Sequence, residues 1–129
     1  MFADPWNPSS GEVRAWAYSS GSVAPCEDWE LALLWAGHER DYLEFAEDHT
    51  CPSQRFFLSL LYFIVGNAVR KGLDSNSEAQ VRGFIKLGAT SKSIAVRLWY
   101  ERSLALLTAP SSFTYDSWCC GGLANEPAA

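Results

Sequence analysis

Apolar side chains recur every three to four positions along most of this chain, and alternation with a period of two never persists beyond a few residues. That periodicity predicts six helical segments and no strand. Ser9-Ser10-Gly11-Glu12 has capping-box spacing and opens a first segment carrying Val13, Trp16 and Ala17 on one face. A second is predicted to open at Pro25, with Glu27 and Asp28 where the helix dipole favours acids, and to end at Gly37. The stretch HERDYLEFAEDHTC, 38–51, forms the third and stops at Pro52. A long apolar fourth runs from Ser53 to about Lys71 and closes at Gly72. Ser75 to Glu78 offers another capping box for the fifth, and Thr90 or Ser91 caps a sixth that ends before Pro110. Short loops between most segments imply antiparallel neighbours.

The expected fold is all-α: a single compact bundle of five to six mostly antiparallel helices over residues 1–129. Residues 1–8 form an extended N-terminal arm, and residues 110–129 form an irregular C-terminal segment packed across the bundle. The central pair is the fourth and sixth segments, which are apolar almost all round.

Turning each helix by about 100° per residue assigns its faces. In the third, Tyr42, Leu43, Phe45 and Ala46 face inward, while Arg40, Asp41, Glu44, Glu47 and Asp48 form one outward, solvated face. His38 and His49 share a face but lie eleven residues apart. Eleven residues span roughly 16 Å, too far for one metal ion. In the fourth, Arg55, Ser59, Tyr62, Gly66 and Arg70 form a thin wet seam, narrow enough at Ser59 and Gly66 for a neighbour to approach closely. Four polar residues sit on apolar faces: Glu30, Glu39, Asn67 and Arg102. A buried guanidinium needs an acid, because leaving one unpaired costs several kcal/mol. Arg102 is therefore expected to pair with Glu39 or Glu30, making a buried polar cluster.

Composition narrows the function. With 48% hydrophobic residues and 14% aromatic, the 129-residue chain can bury a core without staples. Fifteen acids against ten bases disfavour nucleic acid and anionic membrane as partners. The longest apolar run, FFLSLLYFIV, is far shorter than the roughly 20 residues a bilayer needs. The first ten residues lack the basic start and apolar stretch of a signal peptide. A cytoplasmic protein with reduced thiols is expected, since Cys26, Cys51, Cys119 and Cys120 contain no CxxC pair. The vicinal pair Cys119-Cys120 reads as one thiol packed inward and one facing out, so no metal and no cofactor is expected.

No Walker loop, HExxH or GxSxG motif occurs. Aromatic residues on irregular backbone are the kind of anchor that interfaces use, which singles out Trp6, Tyr115, Asp116 and Trp118. The expected function is binding of a protein partner or of a second copy, without catalysis. Small acidic bacterial helical domains that act as adaptors or as antidotes to toxins offer the analogy at class level. The alternative is a module holding a small apolar ligand between the second, fourth and sixth helices, lined by Trp29, Trp35 or Trp99. An enzyme would need His38, Glu39 and Arg102 gathered in one cleft.

Overall fold

In the computed structural model, residues 2–126 are described, and among them the helical period becomes seven α-helices and no strand. Residue 1 of the predicted arm and residues 127–129 of the predicted C-terminal segment lie outside them. The helices are α1 (Ser10–Ala17), α2 (Trp29–Ala36), α3 (Glu39–Glu47), α4 (Gln54–Lys71), α5 (Ser75–Lys86), α6 (Ile94–Thr108) and α7 (Tyr115–Cys119), with a single 3-10 turn at Pro110–Ser112. None is long and apolar enough to cross a membrane.

The capping box of α1 forms as its spacing predicts: Ser9 Oγ accepts from Glu12 N–H, and the Glu12 carboxylate accepts from Ser9 N–H. Elsewhere caps shift by a few residues. The α2 helix starts at Trp29, not Pro25, because Asp28 adopts a left-handed conformation (φ 54°) that turns the chain before the helix begins. That turn carries the Trp29 ring into the core. Asp74, one residue before the predicted box, caps α5 by accepting from Ser77 N–H, and Ser93 caps α6. Ser91 is drawn off to bond the Glu47 carboxylate, and its carbonyl accepts from Arg97.

The α4 helix is central. Phe57, Leu60, Leu61 and Val65 are fully buried, each stabilising the fold by about 1.5–3 kcal/mol. Against its N-terminal half lies an aromatic cluster in which Trp16 meets Trp29 edge-on at 4.8 Å and Phe56 at 5.0 Å, while Phe45 meets Phe57 at 4.8 Å. Such edge-to-face pairs contribute about 0.5–1.5 kcal/mol beyond their burial. On α6, Trp99 is fully buried, admitted by Gly88: a Cβ there would lie 2.9 Å from the indole ring. Its Nε1 and the Ser103 hydroxyl one turn later have no hydrogen-bond partner among the described residues.

The inward face of α3 buries Tyr42, Leu43, Phe45 and Ala46 as its periodicity predicts. Its acidic face is less solvated than expected, because α1 runs parallel beside it. Ser10 donates to Asp41, Arg14 pairs with Glu44 at 2.7 Å and with Asp41 at 3.6 Å, and Tyr18 donates to Asp48 at 2.6 Å. Residues 10, 14 and 18 are one helical turn apart, so each rung of α1 meets the corresponding rung of α3.

The wet seam predicted on α4 is corrected most strongly. The C-terminal segment, expected to be irregular, forms α7 and a run of turns that lies antiparallel along that strip. Arg70 stacks over Tyr115 at 5.3 Å, and Trp118 packs on Tyr62 at 5.4 Å. Gly121 settles beside Ser59, and Arg55 donates to the Ala124 carbonyl at 2.8 Å. At Gly66 a Cβ would lie 2.6 Å from the Trp118 Cβ, so only glycine allows α7 this close. Arg102 finds its acid on the same strap. It pairs with Glu126 at 3.3 Å and donates to the Leu123 carbonyl and the Tyr62 hydroxyl. The expected pairing with Glu39 or Glu30 does not form, because the strap brings an acid and a free carbonyl to the guanidinium from outside the bundle.

Candidate functional site

Exposed apolar surface concentrates at the N-terminal side. The arm is fixed by an Asx turn in which Asp4 accepts from Trp6 N–H, and by the Trp29 indole donating to the Pro5 carbonyl at 2.8 Å. This anchoring leaves Trp6 outside, 44% exposed, with its ring 6.0 Å from that of Trp35, which is 63% exposed. The arm, α1 and the 22–25 loop also enclose an open groove of about 760 Å³ walled by Phe2, Trp16, Val23 and Pro25.

The N-terminal part of the sequence is also rich in acids. Of the fifteen acids in the chain, ten fall within residues 1–48, against two of the ten bases. The field is local: partial burial, then the charges of Asp28, Glu30 and Asp4, push the Cys26 thiol above its ordinary pKa. Asp28 makes no capping bond to α2, so its carboxylate is free for other partners.

A second concavity lies where α2 turns into α3. An outer cavity of about 420 Å³ is lined by His38, Glu39, Arg40 and Asp41 opposite Phe84 and Leu87. An inner one of about 160 Å³, also open to solvent, is lined by Leu34, Ile64, Val81, Glu39, Asn67 and Gln80, and the two share Glu39 and Phe84 as a common wall. Asn67 is only 4% exposed, and its amide makes no hydrogen bond among the described residues.

The residues singled out in the sequence separate accordingly. Trp6 is at the surface. Tyr115 is half exposed but held on Arg70, and Asp116 is exposed, its backbone carbonyl accepting from Gly122. Trp118 is 5% exposed: it is a packing residue of the strap rather than a surface anchor. Glu39 and Asn67 share the inner cavity, whereas Arg102 is tied to the strap. The His38–Glu39–Arg102 group an enzyme would need is therefore not assembled; His38 instead donates its Nε2–H to the Pro8 carbonyl at 3.0 Å. Of the residues expected to line an apolar pocket between α2, α4 and α6, Trp29 and Trp99 are fully buried and Trp35 faces out. Cys119 is half buried and Cys120 exposed, and no group of three or more metal-ligating side chains converges among the described residues.

Trp35 was hidden in the apolar run WELALLWA, which reads as buried throughout. Two signals could have found it. It lies two positions, about 200°, from buried Leu33, and acids crowd the first 48 residues.

No family model matches the chain, and neither the curated proteins nor the solved structures contain a match to it.

Proposed function

We propose that this protein acts by binding rather than by catalysis, and that its N-terminal face takes a basic, amphipathic segment of a protein partner. The observation that carries this reading is the Trp6–Trp35 pair, left open to water within the acid-rich first 48 residues. Leaving two indoles exposed to water is unfavourable unless another surface covers them, and aromatic anchors are the residues that dominate interface energies. Indole faces also attract Lys and Arg side chains, and the surrounding carboxylates raise their local concentration. The groove walled by Trp16, Val23 and Pro25, on the same N-terminal segment, would receive the apolar side of such a segment.

The test is capture of partners from the host with the wild-type chain and with a W6A/W35A variant, alongside anisotropy titration with a labelled Lys/Leu amphipathic helix and its Glu/Leu counterpart. The reading requires a partner held by the wild type, lost in the variant, and released as salt rises from about 0.1 to 1 M, where the screening length falls from about 10 to 3 Å. Equal binding of the two peptides would defeat it. A second copy of the chain is the other occupant to distinguish, since eight of the ten bases lie in residues 49–129. Sedimentation of the wild type would then show dimers that W35A abolishes.

A further inference from the structure

The paired cavities between the start of α3 and the α4–α5 corner lie outside that face, and they hold a polar arrangement that packing alone does not explain. Asn67 is 96% buried within a helix whose neighbours there, Ile64 and Val65, are apolar, yet its amide has no hydrogen-bond partner among the described residues. Its residual 4% exposure keeps the side chain from being fully enclosed, unlike Trp99 Nε1 and Ser103 Oγ. Its polar atoms thus reach space, and the space it lines is the inner cavity. Glu39 borders the same cavity with neither hydrogen bond nor ion pair to its carboxylate among the described residues, although the chain's other α3 carboxylates Asp41, Glu44 and Glu47 are all engaged. Gln80 adds a second amide. The remaining wall is hydrocarbon from Leu34, Ile64 and Val81.

We infer that this cavity binds a compact organic amine, its apolar body against Leu34, Ile64 and Val81 and its ammonium group held by Asn67 and Glu39. The volume of about 160 Å³ fits one ring or a short alkyl chain; an apolar cavity of about 150 Å³ accommodates benzene. An ammonium donates only, which matches an unpaired carboxylate and a free amide carbonyl, and a charge-assisted bond to Glu39 would be the stronger of the two. A neutral ligand would leave Glu39 unmatched, and an anion would meet it head-on.

Benzylamine is the probe, followed by ¹⁵N-resolved NMR on the full chain, with benzyl alcohol and benzoate as controls. Saturable shifts are expected at Asn67, Glu39 and Gln80, including the two side-chain amides, with benzylamine bound about tenfold more tightly than benzyl alcohol. E39Q should remove that tenfold preference, and because Glu39 is partly exposed and unpaired this variant should melt like the wild type. N67L should abolish the shifts by filling the cavity. The inference is overturned if benzylamine gives no saturable shift at these residues, if benzyl alcohol or benzoate binds as tightly, or if E39Q keeps the full preference for the amine.

Discussion

Two tryptophans that the sequence places on irregular segments, Trp6 and Trp118, look alike there and end in opposite environments. Trp118 descends onto Gly66, where the absence of a Cβ lets the two backbones close up, and only 5% of it stays exposed. Trp6 meets Trp35 and remains 44% exposed. The residue waiting on the helix decides: a glycine accepts an indole as packing, whereas another indole holds it away from the helix. One tryptophan becomes cement and the other stays available.

The largest expected effect tests the cement. W118A should cost about 3–5 kcal/mol in chemical denaturation, as removal of a buried aromatic does. A loss no larger than that of W6A would break the comparison. Next, G66A should cost about 1–3 kcal/mol, the usual range for overpacking, by pushing α7 off α4. Proteolysis of G66A should then cut within 113–126 before any other region. By contrast, W6A or W35A should change stability by about 1 kcal/mol or less, the worth of one exposed aromatic pair, while abolishing capture of the partner.

The smallest effect lies at the rung between α1 and α3. Hydrogen bonds from Tyr18 and Thr50 hold Asp48 down at about 2, so its contribution to stability is complete above its ordinary 3.8 and is lost as pH falls from there toward 2. The same contact with Asp48, then partial burial, pushes the Tyr18 phenol up to about 12 from 10.0. Its contribution therefore persists below pH 10 and is lost between 10 and 12. D48N should flatten both limbs of the stability–pH curve measured by urea midpoint.

Much of this was legible beforehand. The Ser9–Glu12 box, the inward face of α3 and the span of α4 all follow from local spacing, and local spacing is what a sequence displays. The starts of α2 and α6 were not, because Asp28 turns left-handed to seat Trp29 and Ser91 leaves its capping role for Glu47 on another helix. Both are decided by distant partners. Ser59 and Gly66 were legible as a place of close approach, but not as the seat of the chain's own residues 113–126. The same holds for the cavity: Glu39 and Asn67 stand out on apolar faces, yet only the turn between α2 and α3 brings them to a common space. The pairing of Arg102 failed for the complementary reason, since its acid lies on a segment with no helical period to place it.

The strap also sets an order of events during synthesis. Roughly forty residues separate the end of α4 from the start of α7, which at about 5–20 residues per second is a delay of a few seconds. Until Trp118 emerges, the groove at Gly66 and the ring of Tyr62 have nothing to lie against. A nascent chain paused between these points presents a sticky furrow on its longest helix, and a chaperone or a neighbouring copy could occupy it first.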